Sequence, residues 1–162
     1  AKGYSVSQMY LAPKLSLNAD ASPTIARRIQ CGYTRIDEKN WIPFSRHGKI
    51  YFVYSPQPHE VAVVREDGAC QVLYTSSFAP LQNLLAEHAS WRARGSAQAV
   101  YVNDSDATAS LPKPHFLSLL HIFDKATGKY AHFAYRFNPE PPFQVWQLSA
   151  ELRLETLASD VG

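Results

Sequence analysis

Sulfur is scarce in this chain: its 162 residues include two cysteines and one methionine. Cys31 and Cys70 lie far apart and form no Cys/His pattern, which excludes the common zinc and dithiol motifs. They read first as free, small strand or loop residues. Pairing stays open, and with it the redox compartment and the localisation. His47, His88, His115 and His132 show no metal-ligand spacing either, so no metal is expected. One-sided charge is also lacking. Sixteen basic against fourteen acidic residues leave a formal net charge of +2. That balance argues against nucleic acid or an anionic membrane as a partner. No apolar run reaches the roughly 18 residues of a membrane-crossing helix. The start, Ala1-Lys2-Gly3-Tyr4, has no signal-peptide apolar core. The seven glycines form no phosphate-cradling loop, and no serine or cysteine sits in a recognisable nucleophile pattern.

Aromatic residues and prolines are what the chain has in quantity. Nine Tyr, eight Phe and three Trp make up 12% of it, and there are eleven Pro. That many prolines argue against a helical bundle. A hydrophobic content of 46% is enough for one domain with a real core. The apolar residues fall in short, strand-like runs. Residues 50–54 and 61–64 are β-branched and aromatic. Asp67-Gly68 after Glu66 is a hairpin signal, because a tight turn needs positive φ angles, and residues 70–74 follow as the partner strand. Residues 130–137 alternate Tyr130, His132, Ala134 and Arg136 with Ala131, Phe133, Tyr135 and Phe137, a period of two with one aromatic face and one mixed face. Residues 97–102 and 116–123 read as strands, although the leucines of the second would also suit a helix. One short helix is expected within residues 80–91, where Leu81, Leu84, Leu85 and His88 recur at helical spacing. Residues 103–114 read as a polar loop.

Four strands within roughly forty residues is the size of one β-propeller blade. The expected fold is therefore all-β and β-propeller-like, a single domain over residues 1–162 with about three four-stranded antiparallel blades and one short helix. The organising stretch is Asp37-Glu38-Lys39-Asn40-Trp41-Ile42-Pro43-Phe44. It sets two carboxylates, an ammonium and an amide directly ahead of buried strands, at a turn or facing a polar ligand. Trp41 reads as core rather than as a platform for a ligand.

The ordered set Glu38-Lys39-Asn40-Trp41-x-Pro43-Phe44, Tyr51-Phe52-Val53-Tyr54-Ser55-x-x-Pro58-His59, Arg94-Gly95-Ser96 and Leu119-Leu120-His121 resembles a known architecture. It is similar to the C-terminal blades of the five-bladed β-propellers of the mannoside phosphorylase family and its glycoside-hydrolase relatives. The final stretch Phe137-Asn138-x-Glu140-x-Pro142-Phe143-x-Val145 fits the same pattern, and the likeness covers about residues 36–155. Two departures stand out. The step Arg94-Gly95-Ser96-Ala97-Gln98 lacks the family's second Gly and its Pro. The family's catalytic carboxylate lies in an earlier blade, upstream of anything in this sequence. At about 40–50 residues per blade, the chain supplies a partial propeller. A missing segment, a partner or a second copy would complete it.

The resemblance implies that residues opening successive blades converge on a central funnel. The expected substrate-binding set is Glu38, Lys39, Asn40, His59, Arg94, Ser96 and His121. Carboxylate and amide groups suit sugar hydroxyls, and Lys39, Arg94 and His121 suit phosphate. The expected ligand is a carbohydrate or sugar phosphate, with inorganic phosphate as co-substrate and no other cofactor. No catalytic residue is assigned, because a glycosidase needs two carboxylates flanking the bond and only Glu38 is a strong candidate. Asp104 and Asp106 fall in the polar loop. The activity implied for a complete protein is that of a glycoside hydrolase, phosphorylase or glycosyltransferase. The alternative is a non-catalytic carbohydrate-binding or structural subunit of a larger complex.

Overall fold

Strand-forming residues dominate, and the chain folds accordingly. The computed structural model describes residues 10–11, 27–31, 40–103 and 114–153. Glu38 and Lys39, with Asp37, Asp104 and Asp106, lie outside the described residues. In chain order the elements are β1 (Tyr10–Leu11), β2 (Arg27–Arg28), β3 (Gln30–Cys31), β4 (Ile42–Arg46), β5 (Lys49–Pro56), β6 (His59–Val64), β7 (Ala69–Ser76), α1 (Ala79–Ala86), β8 (Trp91–Gly95), β9 (Val100–Val102), β10 (His115–Asp124), β11 (Tyr130–Phe137) and β12 (Val145–Leu148). Among the described residues the structure is thus mostly β with one helix, and its strands make two main antiparallel sheets.

The first sheet runs in the order β3-β7-β6-β5-β4. Strands β4 to β7 form a meander of neighbours in sequence, joined by tight turns. Arg46 pairs with Lys49, so His47-Gly48 is a two-residue hairpin loop, with φ of 50° and 73°. Positive φ at both positions matches the right-handed twist of the flanking strands. The short β3 adds to the far edge in parallel with β7. There Cys31 and Cys70 are Cα partners and form a disulfide. This corrects the first reading of both cysteines as free. They are distant in sequence, and only the tertiary β3–β7 pairing brings them together.

The second sheet runs β12-β11-β10-β8, with β9 also pairing β10. Strand β8 pairs with Leu120–Asp124 and β9 with His115–Leu117, so the two share one edge of β10. They behave as one strand interrupted at residues 96–99. At the interruption Ser96 N–H donates to the Leu119 carbonyl (3.0 Å) and Ala99 N–H turns away to the Pro43 carbonyl of β4 (3.1 Å). Ser118 Oγ donates to the Ala97 carbonyl at 2.8 Å. The break therefore ties the edge of one sheet to the edge of the other. Among the described residues there are two four-stranded meanders rather than three, together with the two-stranded β1–β2 ladder.

The alternation read in residues 130–137 is realised in β11. Phe133, Tyr135 and Phe137 are buried, while Tyr130 is exposed and His132, Ala134 and Arg136 are partly exposed. Strand β10 alternates in the same way, with Phe116, Ser118, Leu120 and Ile122 inward. This periodicity settles it as a strand, since a helix would have spread its leucines over 3.6-residue turns. The two inner faces share one core. Phe44 lies 4.9–5.3 Å by ring centroid from Phe116, Phe137 and Phe143, in the tilted and edge-on geometries that aromatic quadrupoles favour. The other face of the first sheet is also covered. Trp41, Tyr54, Ala62, Ile29 and the disulfide form a second buried cluster, so Trp41 is core. Helix α1 ends at Ala86, earlier than the periodicity extends. It buries Leu81, and His88 then stacks on Trp91 at 3.9 Å as the chain enters β8.

Candidate functional site

Gly95 marks where two of the polar motifs meet. A Cβ at this position would stand 2.3 Å from the Asn40 carbonyl oxygen and 2.4 Å from Ile42 Cγ1. No side chain fits there, so glycine lets the backbone entering β4 lie directly on β8. Asn40 itself is exposed, with φ of 63°, a left-handed conformation that asparagine tolerates better than most residues. The Asn40 stretch and the Arg94-Gly95-Ser96 stretch are therefore in contact through backbone.

Arg94 and Ser96 flank this contact, and both belong with His121. Arg94 is the Cα partner of His121 across β8 and β10. Ser96 Oγ lies 2.8 Å from His121 Nδ1. A hydroxyl so placed fixes the ring's orientation, whichever partner donates. His121 is partly exposed and sits within β10. Its Cα partner on the other side is His132 of β11, with the two rings 6.2 Å apart. Tyr130 approaches His121 edge-on at 5.3 Å and stacks on His132 at 6.5 Å. Arg94, His121 and His132 thus form one cross-strand row on the outer face of the second sheet. The pairing of His132 with His121 depends on strand register. Its one trace in the sequence is the shared period-two pattern.

His59 is not brought into this group. It begins β6 with its side chain fully buried, packed against Tyr135 (6.2 Å) and Phe137 (5.4 Å). Those two residues are on the inner face of the second sheet, with the His121 row on the outer face. Neither ring nitrogen of His59 completes a hydrogen bond, and the same holds for Ser76 Oγ and the Tyr135 hydroxyl. His59 and Ser76 are Cα partners. The ring leans toward the Phe143 backbone and the Tyr135 hydroxyl toward Ser118, both short of hydrogen-bond geometry. Burial disfavours the charged imidazolium and lowers the His59 pKa to about 4. Burial likewise raises that of the Tyr135 hydroxyl. The expected role of His59 as a ligand contact gives way to one in the core between the sheets.

The resolved carboxylates near turns are engaged structurally. Asp124 accepts from Ser90 Oγ (2.7 Å), Thr127 Oγ1 (2.7 Å) and the Ala126 N–H (2.9 Å). These bonds, that from Ser90 foremost, hold its pKa down at about 2. Glu140 pairs with Arg46 and stands 3.2 Å from His47 Nε2, linking the β4–β5 hairpin to the turn before β12. The Arg46 hydrogen bond is the main cause of its lowered pKa, followed by that of His47. Arg46 also lies 4.9 Å over the Tyr101 ring. Among the described residues no cluster of three or more His, Cys, Asp or Glu forms a metal site, and no helix is long and apolar enough to cross a membrane. No protein-family model, curated protein or solved structure matches the chain.

Proposed function

We propose that the chain is a carbohydrate-active portion of a β-propeller of the mannoside phosphorylase and glycosidase type, binding a sugar or sugar phosphate at the Arg94–Ser96–His121 group. The observation that carries the reading is the 2.8 Å Ser96–His121 contact within the Arg94–His121 pair. An oriented imidazole beside a guanidinium and a hydroxyl suits a phosphate or a pair of sugar hydroxyls. The two sequence-ordered four-stranded meanders are consistent with successive blades. Glu38 and Lys39 enter through the resemblance; they directly precede Asn40, whose backbone lies against Gly95. The Cys31–Cys70 disulfide fits an oxidising compartment.

The test is calorimetric titration with mannose 1-phosphate and with mannooligosaccharides, together with turnover of mannosides plus inorganic phosphate. Binding that is lost in Ser96→Ala, Lys39→Ala and His121→Ala, with the fold retained by circular dichroism, supports the reading. Failure of the wild-type chain to bind any of these ligands sinks it. One observation favours the non-catalytic form: Asp124 and Glu140 are held ionised by their partners, so neither is poised as a general acid. Binding without turnover is the outcome that form predicts.

A further inference from the structure

The outer face of the second sheet carries cations on a partly apolar surface. Cross-strand pairing arranges it in rows. Arg92, Phe123 and Tyr130 form one row, and Arg94, His121 and His132 the next. Further along, Leu117 is flanked by Val100 and Arg136, with Gln147 beyond. Among the described residues these rows hold three arginines and two histidines and no carboxylate. Their apolar members stand open: Tyr130 is 58% exposed, Val100 61% and Leu117 36%. Adjacent strands lie about 4.8 Å apart and same-face residues along a strand about 6.8 Å apart. From Leu117 to Phe123 the face is therefore roughly 20 Å long.

We infer that this face binds an acidic polysaccharide, a chain of uronate-bearing sugars, laid across the Arg94–His121–His132 row and reaching Arg136. Charge complementarity selects the occupant. Guanidinium groups match carboxylates in a planar, two-bond geometry that a neutral glycan cannot use. Tyr130, exposed at the end of the neighbouring row, suits the apolar face of a sugar ring. Arg92 is tied to the backbone by bonds from Nη1 to the Ala89 (2.9 Å) and Trp91 (2.6 Å) carbonyls, which fixes its charge at the rim. Arg136 makes no ion pair with any described carboxylate. The inference rests on the carbohydrate reading and deepens it: it names the ligand class and adds His132, Arg136 and Tyr130 to the contact surface.

The experiment is titration of the whole chain with an oligogalacturonate and with a neutral mannooligosaccharide of the same length, at low and raised salt. The acidic oligomer is expected to bind at least about tenfold more tightly and to weaken as salt is raised. The His132→Ala/Arg136→Ala double variant is expected to lose at least about tenfold in that affinity, and Arg136→Lys to recover part of it. Mannose 1-phosphate binding at Ser96–His121 should be unaffected in the single Arg136→Ala variant. Equal affinity for the two oligomers, no binding of the acidic one, or no effect of the double variant overturns the inference. Mannose 1-phosphate binding that survives such a result leaves the carbohydrate reading standing. Loss of every carbohydrate ligand in the wild type removes both.

Discussion

Lowering the pH should destabilise this fold through His59. The ring is fully buried between the sheets and takes up a proton only near pH 4, against 6.5 for an ordinary histidine. The unfolded chain therefore binds the proton more readily than the folded one. Stability from this residue is complete above pH 6.5, falls as the pH drops below that value, and is fully lost below about 4. At about 1.4 kcal/mol per pH unit the total is about 3 kcal/mol. Between pH 7.5 and 4.5 the expected loss is about 2 to 3 kcal/mol. Tyr135 and Phe137 pack against the ring, Ser76 is its Cα partner and the Phe143 backbone lies nearby; of these only Tyr135 titrates. Its pKa is moved up, away from this range. The assay is denaturant unfolding of wild type and His59→Leu at pH values across this range. Carboxylates titrate equally in both proteins and cancel in the difference. The stability gap between the two should shift by about 2 to 3 kcal/mol in favour of the variant as the pH falls. A gap constant within about 0.5 kcal/mol, the usual limit of additivity, would refute the burial argument. So would a His59 ring resonance titrating near 6.5. His59→Gln serves as a second variant if leucine strains the site.

Two further outcomes follow from the joints of the fold. The Cys31–Cys70 bridge spans 39 residues, for which the loop-entropy estimate is roughly 4 kcal/mol; reduction, or the Cys31→Ala/Cys70→Ala pair, should lower unfolding stability by an amount of that order, and an unchanged melting temperature under reductant would count against the disulfide. Gly95→Ala places a methyl 2.3 Å from the Asn40 oxygen and should cost about 1–3 kcal/mol by overpacking, while weakening mannose 1-phosphate binding through displacement of Ser96. Wild-type stability and affinity in that variant would show that the Asn40–Gly95 contact is not needed.

Element types were legible where local pattern decides them. The β-branched and aromatic runs of β5 and β6, the Asp-Gly hairpin and the period of two in β11 each carry their own explanation. Strand β8 was missed because residues 80–91 carry a helical pattern and the strand that follows it was read at residues 97–102. It is a strand because β10 supplies its hydrogen bonds, and Gly95 is there for the close approach of Asn40 rather than for a turn. The disulfide was undecidable for the same reason: its geometry exists only once β3 lies beside β7.

The candidate site shows the same division between residue type and register. Arg94, Ser96 and His121 entered through the family resemblance, and register joins them. His59 had the same chemistry, and register removes it. Both histidines lie in β-strands, yet one strand faces its side chain into the core and the other presents it on the outer face. A one-residue slip of β10 against β11 would exchange the faces of β10, burying His121 and exposing Phe116 and Leu120. The core residues Phe116, Leu120 and Ile122 are buried to 1% or less, so the aromatic core opposes that slip. The packing of Phe44 on Phe116 and Phe137 is thus also what keeps the Arg94–His121–His132 row facing outward.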